Sequence, residues 1–113
     1  MSGNQPACAL ADLADGKPHA VEIDTADDTV SIVLVRQGET VRALRDECSH
    51  AALPLSEGEV TKHGIECWLH GSCFDLRTGQ PSSLPATEPV DVFPVSIVDG
   101  QVYVDVNNPT NHA

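Results

Sequence analysis

Two mixed pairs of soft ligands constrain this chain more than any other feature. Residues 47 to 75 read ECSHAALPLSEGEVTKHGIECWLHGSCFD and hold three of the four cysteines and three of the five histidines. The order is Cys48-x-His50, then sixteen residues, then Cys67-x-x-His70. Two Cys and two His can bind zinc in a tetrahedral site. They can also bind a [2Fe–2S] cluster in which one iron takes two thiolates and the other two imidazoles. Zinc knuckles commonly pair like with like, as C-x₂₋₄-C and H-x₃₋₅-H. Here each short pair is mixed. That suits a bimetallic cluster gripped by two loops, each giving one ligand to each iron.

The rest of the chain reads as a β framework for those loops. Its 113 residues suit a single domain, 1–113, with a modest core that a metal centre would reinforce. Only one Trp, one Tyr and two Phe occur, so β-branched residues carry much of the apolar content and favour strands. HAVEID alternates from His19 to Asp24. TVSIVLVRQGETVRAL predicts two strands around Gln37-Gly38. GEVTKHGIECW predicts a second hairpin turning at Lys62-His63-Gly64. FPVSIVDGQVYVDV predicts a third, with Asp99-Gly100 suited to a type I′ turn. In it Val102, Val104 and Val106 share one face, and Tyr103 and Asp105 the other. No stretch has a sustained helical period; ADLAD near the start makes at most a turn. PSSLPATEP, residues 81 to 89, reads as a loop, and the tail 107–113 as frayed. The pattern predicts an all-β domain of packed antiparallel sheets. The ligand pairs fall at turns, one after a strand ending near Asp46 and one after a strand through Ile65.

Charge narrows the partners. The formal net charge is −11, and no Lys or Arg follows Arg77. Nucleic acid and anionic membranes both need basic patches, so neither is expected. Protein partners with basic docking faces are the electrostatic complement. The start MSGNQPACALADLADG has neither a basic opening nor a long apolar run, so no signal peptide or membrane anchor is expected and the cytoplasm is the expected compartment. Thiols stay reduced there, and clustered Cys and His then read as metal ligands before disulfides.

Cys48-Ser49-His50 and Cys67-Trp68-Leu69-His70-Gly71-Ser72 resemble the Rieske iron–sulfur signature, C-x-H…C-x-x-H. The flanks PLSEGEV and FDLRTGQP look like those of the soluble Rieske ferredoxins. The resemblance runs from about Cys8 to Val106. It implies an antiparallel β-sandwich with a small cluster-binding subdomain, about residues 46–87, formed by two ligand loops. It implies one Rieske [2Fe–2S] cluster, with Cys48 and Cys67 on the buried iron and His50 and His70 on the outer iron. Gly71 would allow close backbone approach, and the loop around Pro85 would cover the cluster. The implied function is one-electron transfer, without substrate chemistry of its own. Electrons would pass from a flavin-containing ferredoxin reductase to a terminal non-haem iron oxygenase. The ligand charges make the oxidised centre neutral, so it accepts an electron more readily than a four-Cys cluster.

Departures from the Rieske proteins of respiratory and photosynthetic complexes sharpen the expectation. Leu53 and Leu69 stand where those proteins carry a disulfide. Phe74 stands where they carry a Tyr that donates a hydrogen bond toward a ligand sulfur, while Ser72 matches their other donor. A potential low in the Rieske range follows. Cys73 is expected to be a thiol outside the ligand set, and Cys8 a small apolar residue of the first strand. Trp68 would pack beside the cluster. His63 would be solvated in a turn, and His19 and His112 would be surface residues. A monomer is expected. Three other readings stay open on the sequence: an accessory protein of iron–sulfur assembly, a small Rieske subunit of a reductase such as nitrite reductase, and a structural zinc module.

Overall fold

A computed structural model describes residues 4–25, 29–46, 54–61, 64–66, 73–76, 78–81 and 90–106. Among the described residues ten strands run in chain order: β1 Asn4–Ala9, β2 Pro18–Asp24, β3 Thr29–Gln37, β4 Thr40–Arg45, β5 Glu59–Thr61, β6 Gly64–Glu66, β7 Cys73–Phe74, β8 Val92–Phe93, β9 Val95–Val98 and β10 Gln101–Asp105. Two short 3₁₀ turns, Leu10–Asp12 and Leu55–Glu57, are the helical elements among the described residues. The expected all-β class is therefore the observed one.

Three antiparallel sheets form, ordered β1-β10-β9, β2-β3-β4-β8 and β5-β6-β7. The four-stranded sheet is the middle layer, and β3 shows why. Ile32, Val33, Leu34 and Val35 are all fully buried. Successive strand residues point to opposite faces, so a continuous apolar run fits a strand covered on both sides. Ile32 and Leu34 join Ala43, Phe93, Val102 and Val104 in one core, beneath β1-β10-β9. Val33 and Val35 join Leu44, Leu55, Ile65 and Phe74 in a second core on the other face.

The hairpins follow their turn chemistry. Gln37 pairs with Thr40 across a two-residue turn, and Gly38 takes φ 65°. Asp99 and Gly100 take φ 51° and 78°, the double positive value that a type I′ turn requires. Val102 and Val104 are wholly buried and Val106 nearly so, as the alternation predicts; Asp105, on the other face, is buried too. The expected turn at Lys62-His63-Gly64 lies mostly outside the described residues. Gly64 already belongs to β6 and pairs with Thr61, while residues 62 and 63 lie outside the described set. Gly64 is there for space: at φ 144°, a Cβ would stand 2.0 Å from the carbonyl oxygen of Phe74.

Candidate metal centre

Cys48 and His50 fall in segment 47–53, and Cys67 and His70 in segment 67–72. Both segments lie outside the described residues, as do Trp68, Gly71, Ser72, Leu53, Leu69, His63, Pro85 and His112. What the structure describes is the frame from which those segments spring.

Each segment is closed at its base. β4 leads into residue 47, and the turn Leu55–Glu57 receives the chain after residue 53. The Asp46 carboxylate accepts hydrogen bonds from the Ser56 backbone N–H and the Ser56 hydroxyl, both at 2.7 Å. Both donors are satisfied by one short acidic side chain, a charge-assisted closure across ten residues. Segment 67–72 is closed by strand pairing, with Ile65 opposite Phe74 and Glu66 opposite Cys73. A third segment, 82–89, is anchored at both ends to the neighbouring chain. Pro81 bridges Phe74, and the Val90 N–H donates to the Gly79 carbonyl at 3.0 Å.

One apolar core ties the three bases together. Leu44 and Leu55 flank the first segment, Ile65 and Phe74 the second, and Val90 the third; all five belong to the same buried cluster. An ion pair adds a polar link. Arg45 Nε lies 3.0 Å from Asp91 Oδ2, and the Arg45 N–H donates to the Asp91 carbonyl at 2.9 Å. The pair is partly exposed, so it contributes orientation more than stability.

Crowding fixes the base of the second segment as well. Gly58 precedes β5, and a Cβ on it would stand 1.7 Å from the Glu66 carbonyl oxygen, one residue before Cys67. The Asp46–Ser56 closure and this approach are the positioning features that sequence reading missed. The glycine of SEGEV was visible, but its cause lies in a cross-strand contact that spacing does not encode.

The other two cysteines belong to strands of the frame. Cys8 is a half-buried residue of β1, packed against the core beneath that sheet, as expected. Partial burial, with the Asp12 carboxylate adding to it, pushes its thiol pKa above the ordinary value. Cys73 is buried in β7, and neither cysteine is in a disulfide. Phe74 is fully buried in the core cluster. His19 is half-buried in β2 rather than a plain surface residue.

Residues 3–94 match the Rieske [2Fe-2S] domain. The chain belongs to the Rieske [2Fe–2S] family. The anthranilate 1,2-dioxygenase ferredoxin subunit of Burkholderia cepacia is 49% identical over 75 residues, covering 66% of this chain and 69% of that one. The 3-phenylpropionate/cinnamic acid dioxygenase ferredoxin subunit of Escherichia coli (strain K12) is 37% identical over 101 residues, covering 88% and 91%. Among solved structures, the ferredoxin of carbazole 1,9a-dioxygenase from Nocardioides aromaticivorans IC177 superposes with a TM-score of 0.81 at 33% identity, covering 91% of this chain and 97% of that one. A complex of reduced oxygenase and oxidized ferredoxin in carbazole 1,9a-dioxygenase also superposes, with a TM-score of 0.81 at 32% identity over 93% and 94% of the two chains. This Rieske protein is thus of the ferredoxin kind, an electron-transfer component and not a catalyst, and its cofactor is one Rieske-type [2Fe–2S] cluster. Among the described residues no helix is long and apolar enough to cross a membrane.

Proposed function

We infer that this Rieske ferredoxin holds its cluster on Cys48, His50, Cys67 and His70, and carries single electrons from a flavin-containing ferredoxin reductase to a terminal non-haem iron oxygenase. The observation that carries the reading is the common base of the two ligand segments. Each contributes one Cys and one His, and the residues flanking both pack into one core cluster. Two thiolates and two imidazoles are the donor set a Rieske cluster takes, so the residues present fit the group. The remaining cysteines support the same choice, since Cys8 and Cys73 belong to strands of the frame.

When bound, the cluster supplies a one-electron store. The chain's own contribution is to hold the four donors. Asp46 and Ser56 close one segment, the Glu66–Cys73 pair closes the other, and the shared core keeps both bases in register. Electrons enter and leave at the histidine end, in brief encounters with each partner in turn. The −11 charge favours basic docking faces on both partners and acts chiefly on association rate. We place the protein in the cytoplasm, a reading supported by two cysteines outside any disulfide, and propose that it works as a monomer.

Ligand assignment is tested by exchanging each cysteine for serine. Cys48→Ser and Cys67→Ser should abolish the brown colour and the two irons per chain expected of one cluster. Cys8→Ser and Cys73→Ser should leave the visible spectrum intact. Loss of the cluster in Cys73→Ser, or a colourless wild type holding zinc, would overturn the assignment. The shuttle role is tested by stopped-flow reduction at rising ionic strength, where delivery should slow as steering is screened. A complex with either partner that survives gel filtration in high salt would point instead to a permanent subunit.

A further inference from the structure

The four-stranded sheet has an unfinished edge. In β4 the Arg45 N–H points toward β8, where it meets the Asp91 carbonyl. Backbone groups alternate along an antiparallel strand, so Ala43 and Val41 present theirs on the same side. Ala43 is covered, because Phe93 lies opposite it. Val41, whose side chain is buried in the core beneath β1-β10-β9, has no ladder partner on that side among the described residues, because β8 is two residues long and ends at Phe93. Val95, which would continue the ladder opposite Val41, pairs with Val104 in the other sheet. β9 is itself an edge strand, with Ile97 and Val98 exposed.

Between these edges runs a trough of about 400 Å³, lined on one side by Thr40, Val41 and Arg42 and on the other by Pro94, Val95 and Ile97. Arg42 is its chemical signal. Arg36 is spent on the carbonyls of Gly38, Leu10 and Leu13, and Arg45 on Asp91. Arg42 makes no hydrogen bond or ion pair among the described residues, and its Nε is buried with no partner. A buried donor left without an acceptor is destabilising, so an incoming acceptor there is favoured. Arg42 as a whole is half-buried and lines the trough. Glu39 lines the same trough at its turn end yet makes no ion pair with Arg42.

We propose that this trough is a docking site for an extended segment of a partner protein that carries a carboxylate side chain. The segment would add a short strand to the open edge at Val41, rest apolar side chains on Val95 and Ile97, and set its carboxylate across the Arg42 guanidinium. Strand addition supplies backbone affinity and a planar arginine fork supplies carboxylate selectivity. Arg42 lies four strand residues before Asp46, about 13 Å along β4 at the usual rise. The residues that line the trough belong to the strand frame, and none comes from the proposed ligand segments.

The chain's overall charge makes the test discriminating. A protein of net charge −11 attracts basic peptides and repels acidic ones; only a local feature reverses that order. The probes are the peptides acetyl-Val-Glu-Val-Glu-Val-amide and acetyl-Val-Lys-Val-Lys-Val-amide, titrated into the ¹⁵N-labelled, cluster-loaded full chain. The glutamate peptide should give saturable shifts at the Arg42 Nε–H and the amides of Val41, Val95 and Ile97, with at least tenfold higher affinity there than the lysine peptide. Arg42→Gln should weaken it at least tenfold, Arg42→Lys less, and Glu39→Gln should tighten it. An unperturbed spectrum elsewhere would show that the variants are folded. Equal or tighter binding of the lysine peptide at these residues, binding indifferent to Arg42→Gln, or no saturable shift at millimolar peptide would each overturn the proposal. So would shifts at the same residues that grow with protein concentration alone, which would assign the edge to a second copy of this chain.

Discussion

Replacing Gly58 by alanine sets two physical arguments against each other. Gly58 has φ −88° and ψ −160°, extended backbone that any residue adopts. On conformational grounds alone, alanine should stabilise the chain by about 0.4–1 kcal/mol, because it narrows the unfolded ensemble. Packing says the opposite. The new Cβ would stand 1.7 Å from the Glu66 carbonyl oxygen and 2.9 Å from its carbon, where real Cβ contacts essentially never fall below 3.0 Å. The obstacle is backbone, so no rotamer change relieves it. The chain before β5 and the end of β6 must part by roughly an ångström. That strains the Glu59–Glu66 pairing and shifts Leu55 and Ile65, both fully buried in the core beneath the ligand segments.

Overpacking of this kind costs about 1–3 kcal/mol, and one weakened ladder hydrogen bond adds about 0.5–1.5. Set against the opposing entropy gain, the net loss should be about 2–3 kcal/mol. In a domain of this size that lowers the midpoint of thermal unfolding by roughly 10–20 °C. Circular dichroism melts of wild type and variant, in the same buffer and loading state, read it directly. Gly16→Ala is the control. It has open space around its Cβ but a φ of 74°, so it reports backbone strain without crowding, about 1–2 kcal/mol. Because Glu66 immediately precedes Cys67, iron retention in Gly58→Ala should fall as well. A variant as stable as wild type, or more stable, would refute the crowding argument and leave the entropic one standing.

Other perturbations read the remaining features. Ser56→Ala removes one of the two hydrogen bonds to the Asp46 carboxylate, and Asp46→Ala both, so unfolding free energies from denaturant titrations should fall by about 1 and 1.5–3 kcal/mol in that order; equal losses would mean that the backbone N–H contact contributes nothing. Phe74→Tyr should raise the reduction potential measured by voltammetry, since a hydroxyl directed to a ligand sulfur stabilises the extra electron; a stability loss with no change of potential would place the hydroxyl in the apolar core around Phe74. Cys8 should be the reactive thiol of the native, loaded protein, because Cys73 is buried and Cys48 and Cys67 are proposed ligands. Burial raises the Cys8 pKa, so the pH midpoint of its alkylation by iodoacetamide should lie above that of the same thiol in the urea-unfolded chain. The sign for stability follows. The native fold holds the thiol proton more tightly, so this small contribution is present below the unfolded-state pKa and is lost as pH rises through the folded value.

How much of this was legible in the sequence varies by feature. β3 was readable because four consecutive buried residues, Ile32 to Val35, cannot serve a half-exposed strand, and the Asp99-Gly100 turn because few dipeptides accept two positive φ values. The donor set was readable because its chemistry is local: each pair lies within four residues. The frame was not, because its parts are distant in sequence. Asp46 meets Ser56 across ten residues and Arg45 meets Asp91 across forty-six. No periodicity records the contact between Gly58 and the Glu66 carbonyl.

The same distinction bears on why a ferredoxin of this size needs its middle sheet covered on both faces. One face of β3 closes the core beneath β1-β10-β9, while the other carries the cluster of apolar residues from which all three segments emerge. A change on the first face, such as Leu34→Ala, should destabilise the domain by about 2–5 kcal/mol while leaving the spectrum of the surviving folded protein unaltered. A change on the second, such as Leu44→Ala, should cost a comparable amount and in addition loosen the base of segment 47–53, since Leu44 stands two residues before the Asp46 closure. Iron release to a chelator, followed by visible absorbance under native conditions, should therefore accelerate in Leu44→Ala beyond what its lost stability accounts for, and not in Leu34→Ala. Equal release rates at matched stability would mean that global unfolding alone governs cluster loss, and that the shared core has no separate part in holding the donors.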